Sequence, residues 1–506
     1  MSSNDPHREN EEDYMQADDA EEIFERDEDH HMSEGDEYDD ENMTIEDEIT
    51  FQNDSVAHFD SHSDSVFCVA QHPVHNNIVM TGSGDDTAYI FDSTPAPRPV
   101  LPSSFESNPQ PRERESLSPL AKLDGHTDTV NAVVFTEPVG EYAITAGLDG
   151  KLRAYRDTTP QKTGLAWEFF GEVQEVEEIN WMAVCPYQQG NEATQNVIAI
   201  GSNDGSAWVF RIDHTDPGQP ISIIQTFFSH TESCTAGAWT PDGNLLATVS
   251  EDSSFFVYDV FGAAAAAGIE YSPGTNAILG LNGEDQRFAV EGGLYTIAIS
   301  PSGGIAAVGG AEGNIRVVGL PRIAAGAPAT KGKAKGAATQ SGSTAAGTIM
   351  AALQTQTDNI ESLSFSQAPF TLLAAGSVDG SIVMYDAAHR FAVRRHIRDA
   401  HEGSAVVKVE FLPSNKQLGA TAPAANQSRS WMLTSVGLDG VVRRWDARGG
   451  TAAASQGLMQ EWKGHMGATE NEEGEQAGGI MGFVQGLDGK RIVTAGDDGI
   501  SLVFEE

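Results

Sequence analysis

From Ile49 onward the chain alternates between short runs of Val, Ile, Ala, Phe and Tyr and clusters of Gly, Asp, Asn and Ser. The apolar runs are too short for helices and are closed off by turn residues, so they predict many short strands. The turns repeat. A turn of the type x-Asp-Gly followed by a short strand, in most copies ending in an aromatic, recurs along the chain. The copies are GSGDDTAYIFD (82–92), GLDGKLRAYRD (147–157), GSNDGSAWVFRID (201–213), SEDSSFFVYD (250–259), GGAEGNIRVVG (309–319), GSVDGSIVMYD (376–386), GLDGVVRRWD (437–446) and GDDGISLVFEE (496–506).

Upstream of many copies lies a His-containing turn that leads into an apolar strand. HSDSVFCVAQHP (62–73), GHTDTVNAVVF (125–135), HTESCTAGAWTPDG (230–243) and HEGSAVVKVEF (401–411) are examples, and Gly464-His465 repeats the start. From about residue 55 to the C-terminus these features resemble the WD40 family, whose repeats carry Gly-His, an apolar strand, a turn Asp and Trp-Asp. The full Trp-Asp occurs once, as Trp445-Asp446; elsewhere it is Phe91-Asp92, Tyr258-Asp259 or Tyr385-Asp386. Repeats beginning near Glu175, Val290 and Gln356 lack the His, and the fifth has Glu312 in place of the turn Asp. Eight copies in register make the pattern a repeat architecture.

The resemblance implies an all-β, eight-bladed WD40 β-propeller over 49–506. Physics agrees, because one short four-stranded sheet exposes two edges and cannot bury both faces, whereas radial stacking covers the faces. The chain ends on Ile500–Phe504, the third strand of its sheet in family order. Ser55–Phe59 has no sheet of its own and is expected to complete the last blade. Inserts at 93–119, 262–276, 321–347 and 414–429 read as flexible loops on the bottom face. The insert Met466–Gly479 follows a His turn and is expected on the opposite, top face.

Charge then narrows the function. Asp plus Glu is 75 against 30 Lys plus Arg, a net charge of −45. Residues 1–50 hold 22 acids and two bases (Arg8 and Arg26), about −20, and the other 456 residues hold 53 and 28, about −25. Residues 1–48 lack apolar periodicity and are expected to be a disordered acidic tail. So acidic a body repels nucleic-acid phosphates and attracts basic partners, so no direct nucleic-acid binding is expected. Three cysteines (Cys68, Cys185, Cys234) form no C-x-x-C pair and point to a reducing compartment. The acidic N-terminus is not a signal segment, and no apolar run approaches the ~20 residues of a membrane span. A cytoplasmic protein, also nuclear in an alternative placement, monomeric and without membrane contact, is expected.

His126, Asp149 and intervening hydroxyls suggest a Ser-His-Asp triad, but the trio recurs in repeats 1, 2, 4, 7 and 8, whereas a catalytic set occurs once. In the family these residues are a structural network beneath the blade's aromatic. That role is assigned to His62, His126, His230, His401 and His465 and to Asp85, Asp149, Asp204, Asp252, Asp379, Asp439 and Asp498. His30-His31 has no accompanying ligands at fixed spacing, the glycine turns lack a phosphate-cradle pattern, and KGKAK (331–335) reads as a solvated loop. No enzyme activity, metal or cofactor is expected.

WD40 domains commonly bind peptides on the top face, through the residues flanking the first apolar residue of the inner strand and the residue before the turn Asp. Carried over, these positions supply Glu178, Glu251, Glu361 and Asp497, with Phe67 and Tyr295 among them and no Lys or Arg. Glu177 adjoins them, and Glu470, Glu472, Glu473 and Glu475 overhang them. One sign converging on one face points to a cationic partner. EVEEINWMAVCP (175–186) followed by IGSNDGSAWVF (200–210), with the acidic leader, is similar to the angio-associated migratory cell protein family. That family's fungal member is a ribosome-assembly protein, which implies a dedicated chaperone for the basic N-terminal segment of a large-subunit ribosomal protein (L-ten in fungi). A WD40 scaffold or substrate receptor in signalling or ubiquitination is the alternative.

Overall fold

The innermost strand of each repeat follows the turn that carries its His or the residue in the place of the His. In the computed structural model these strands are Val66–Gln71, Val130–Phe135, Ile179–Val184, Cys234–Trp239, Leu294–Ile299, Ile360–Phe365, Val406–Phe411 and Ile480–Val484. The structure describes residues 52–96, 116–159, 166–216, 218–272, 276–323, 346–368, 371–413, 430–448, 457–470, 476–486 and 488–506. The expected acidic tail, 1–48, lies outside them. Each innermost strand leads an antiparallel four-stranded sheet, and eight such sheets form. Successive innermost strands pack against one another, and Ile480–Val484 packs against Val66–Gln71, so the ring closes. This is the eight-bladed propeller expected.

Closure uses the first strand, Ala57–Phe59, which pairs antiparallel with Ser501–Glu505 in the register Ala57↔Val503, His58↔Leu502 and Phe59↔Ser501. Two further bonds tie the approach to blade 7: Asp54 N–H donates to the Lys463 carbonyl at 2.7 Å, and Lys463 N–H to the Asp54 carboxylate at 2.9 Å. Phe59 then stacks on Phe91 of blade 1 with centroids 4.2 Å apart. The clasp therefore joins both termini of the ring through backbone bonds and buried aromatics.

The core lies between blades. Second strands such as Ile78–Ser83, Tyr142–Gly147 and Leu245–Ser250 are buried along their whole length because a neighbouring sheet covers each face. Each fully buried Val, Leu, Ile or Phe contributes about 1.5–3 kcal/mol. The third-strand aromatics Phe91, Tyr155, Phe210, Tyr258, Tyr385, Trp445 and Phe504 are buried there too; the fifth blade has Val318.

Of the four bottom-face inserts, 262–276 departs from the flexible-loop expectation in part. Ala263–Ala266 form a helical turn with Ala264 buried in the core and Ala265 N–H bonded to the Asp259 carboxylate at 2.9 Å. A run of alanines here finds an apolar surface and a carboxylate acceptor. Residues 97–115, 273–275, 324–345 and 414–429 lie outside the described residues.

Candidate functional site

The top face is built from two turns per blade: the one entering the innermost strand and the x-Asp-Gly turn joining second to third strand. The turn Asp fixes both. Asp149 accepts N–H bonds from Thr127 and Lys151, at 2.9 and 3.0 Å, so one carboxylate ties the two turns together. His126 lies beneath, with Nδ1 3.0 Å from Asp149 and Nε2 2.8 Å from Thr145 Oγ1. The same arrangement holds His62 to Asp85 and Thr81, His401 to Asp439 and Ser435, and His465 to Asp498 and Thr494. In blade 7 the Trp445 indole N–H joins Ser435 at 2.8 Å. Blade 4 differs: Ser254 stands between His230 and Asp252, whose direct separation is 3.7 Å. Asp204 accepts from Ser206 N–H, and Asp379 from Thr357 and Ser381 N–H, in blades without the His.

Burial holds His62, His126 and His401 below the usual imidazole range despite the pull of their Asp partners. For Asp85, Asp149 and Asp439 burial alone would raise the pKa. The bonds they accept outweigh it and hold these carboxyls low. A buried neutral His between a carboxylate and a hydroxyl, repeated around the ring, locks turns in place. The turn geometry explains the glycines too: Gly150 and Gly440 have φ of 73° and 74°, where most side chains are strained.

Above this layer sits an acidic mouth. Every innermost strand carries a β-bulge just after its first residue, at Phe67, Asn131, Asn180, Thr235, Tyr295, Glu361, Val407 and Met481 in turn. The bulge leaves that residue unpaired and re-aims its side chain. Glu177, Glu178, Glu251 and Glu361 are exposed at these turns, and Phe67 is 37% exposed. Tyr295 of blade 5 lies near acids of blades 4 and 6. Burial and the neighbouring Glu251 and Glu361 carboxylates raise its phenol pKa, and its hydroxyl donates to the Gly292 carbonyl at 2.5 Å. Crowding by protein, and then Asp358, also raises Glu361 above the usual carboxyl range.

Asp497 does something else. It accepts the Gly478 N–H, and Gly479 N–H bonds the Met466 carbonyl at 2.9 Å. These contacts seat a short hairpin, Thr469–Glu470 with Gln476–Ala477, on the top of blades 7 and 8. Glu470 is in its first strand; Glu472, Glu473 and Glu475 lie outside the described residues.

The structure also brings in acids that sequence reasoning passed over. Asp64, Asp128, Glu232, Glu291, Asp358 and Glu402 are all exposed, one per blade, one or two residues after the His or its replacement. The signal was the recurrent acid in H-S-D, H-T-D and H-T-E, which reads as turn polarity until the ring places all of them on one rim.

Comparisons with known proteins agree with this geometry. The WD domain, G-beta repeat signature matches residues 53–92, 117–156 and 221–259. The crystal structure of Chaetomium thermophilum Sqt1 bound to the N-terminus of ribosomal protein L10 superposes with a TM-score of 0.73 and 46% identity, covering 90% of this chain and 100% of that one. This chain belongs to the Sqt1 family. The ribosome assembly protein SQT1 of Saccharomyces cerevisiae is 25% identical over 93% of this chain and 92% of its own length. Human angio-associated migratory cell protein is 22% identical over 89% and 80%.

Proposed function

We infer that this Sqt1-family chain is a dedicated chaperone that captures the basic N-terminal segment of ribosomal protein L10 on its top face and supports its incorporation into the large subunit. The observation that carries the reading is the acidic mouth on a chain 46% identical, over the full length of the neighbour, to a Sqt1 bound to that segment. Carboxylates around one concave rim reinforce each other's field, which speeds capture and selects positive charge. Exposed pairs contribute at most ~1 kcal/mol each, so affinity comes from many acting together and from crowded ones such as Glu361. The His–Asp networks are framework, and the protein acts by binding, not catalysis, as a monomer in the cytoplasm where ribosomal proteins are made. Calorimetric titration with an L10 N-terminal peptide tests this. Binding is expected to weaken steeply with salt and to be lost in Glu251→Lys/Glu361→Lys, while reversal of tail acids leaves it nearly unchanged. Equal affinity in the double variant would place the site elsewhere.

A further inference from the structure

The eight bulge residues share one place in the strand register, yet their side chains differ in chemistry. In blades 2, 3 and 4 they are used internally. Asn131 Nδ2 donates to the Ile179 carbonyl at 2.6 Å, Asn180 Nδ2 to Cys234 at 3.2 Å and Thr235 Oγ1 to Leu294 at 2.6 Å, each clamping one blade to the next. Tyr295 and Glu361 belong to the acidic arc. The remaining three, in consecutive blades 7, 8 and 1, are Val407, Met481 and Phe67, which keep part of their apolar surface in solvent.

Their surroundings are apolar as well. The backbone of half-buried Leu438 runs against Gly479, two residues before Met481, and Met466, whose carbonyl accepts the Gly479 N–H, is 60% exposed. The Phe67 ring and the Asp64 carboxylate both lie close over Gly84, where a side chain would be tightly crowded. The hairpin rises next to this surface, with Ala468 N–H bonded to the Leu438 carbonyl. Asp64 and Glu402 continue the acidic rim here, but the bulge positions of blades 7, 8 and 1 are apolar where blade 6 carries Glu361.

Resting on the reading of the mouth as a basic-peptide site, we propose that Phe67, Val407, Met481, Leu438 and Met466 form a seat for one aromatic or large aliphatic side chain within the bound basic segment. The seat is continuous with the acidic arc, so a single extended peptide reaches both. Charge attracts at long range but tolerates sliding, whereas an apolar side chain has one place to go and fixes the register. Its contribution is insensitive to salt and scales with buried area, at roughly 25 cal/mol per Å².

The test is fluorescence anisotropy of the full chain with arginine-rich peptides of equal charge, one without any large apolar residue and a set with a single Phe moved along the sequence. At least one Phe position is expected to bind on the order of tenfold tighter than the Phe-free peptide, with a ratio that persists at high salt as both affinities fall. Val407→Ser/Met481→Ser is expected to remove that ratio and leave binding of the Phe-free peptide unchanged. If both kinds of peptide bind the parent chain equally, or the ratio survives in the double variant, the seat is overturned while the acidic site stands. If neither binds the parent chain at low salt, the acidic-site reading fails and takes the seat with it.

Discussion

Two layers of carboxylates lie one above the other on this face, and they have opposite fates. Asp85, Asp149 and Asp439 are nearly covered, accept several hydrogen bonds each and are held ionised by them. Glu177, Glu178 and Glu251 are exposed and none has a side-chain ion pair among the described residues. Both layers carry the same charge; partners distinguish them. A carboxylate with its lone pairs spent on backbone N–H groups has little left for a ligand, and one without internal partners costs the fold nothing and is free to act outward.

The comparison breaks most sharply at Asp439. This carboxylate is shared by His401, Arg443 and the Val441 N–H. Asp439→Ala takes the carboxylate from buried His401 and leaves Arg443 only Glu461 and Glu402 as carboxylate partners. It is expected to destabilise the fold by about 3–5 kcal/mol, read as a fall in the chemical-denaturation midpoint. Glu251→Lys/Glu361→Lys is the mirror image, with little change in that midpoint and at least a tenfold loss of basic-peptide affinity at low salt. Both variants losing stability equally would erase the distinction between layers.

Protonation sharpens the same contrast. His62, His126 and His401 have folded pKa values below the unfolded one of ~6.5, so the unfolded chain takes up their protons first. Their stabilisation is complete above about pH 6.5 and is lost progressively as pH falls below it. His72 behaves likewise, lowered by burial to about 4, with Nδ1 accepting the Val74 and His75 N–H groups at 3.2 and 3.0 Å. Denaturation midpoints are expected to drop between pH 6.5 and 4.5, by a few kcal/mol at most. Peptide affinity is expected to follow a different curve. Glu361 has a raised pKa, so it gains a proton above the usual carboxyl range and its contribution fades early on acidification. Glu361→Gln is expected to remove that early fall and leave the stability curve in place.

The fold was legible because its signals repeat: eight turns resembling x-Asp-Gly counted the blades, and a last blade supplying three strands called for the strand now seen at Ala57–Phe59. The site was legible by position but not by role. Asp497 sits where a ligand-facing acid was expected, yet its carboxylate holds the Gly478 N–H of a hairpin that no local pattern announces. Asn180 and Asn131 look like ligand positions and are clamps between blades, because their acceptors lie about fifty residues away in sequence. Contacts of that span follow from ring closure and are invisible to periodicity.

The finest version of the comparison is a pair of adjacent residues. In the first turn Asp85 carries the hydrogen bonds, while Asp86 occupies the site that is Gly in most other repeats, with φ of 61°. An L-residue there costs ~1 kcal/mol, part of which is offset because Gly loses more chain entropy on folding. Asp86→Gly is therefore expected to stabilise the protein by roughly 0.5 kcal/mol. Ser253, at φ of 62° in blade 4, offers the control. Its Oγ accepts the Gly293 N–H at 3.1 Å, a bond worth about as much as the strain it would relieve. Ser253→Gly is expected to leave stability nearly unchanged, so denaturation of the two variants side by side separates relief of backbone strain from loss of a turn's acceptor. A larger gain for Ser253→Gly than for Asp86→Gly would mean that the Gly293 bond contributes nothing to holding that turn.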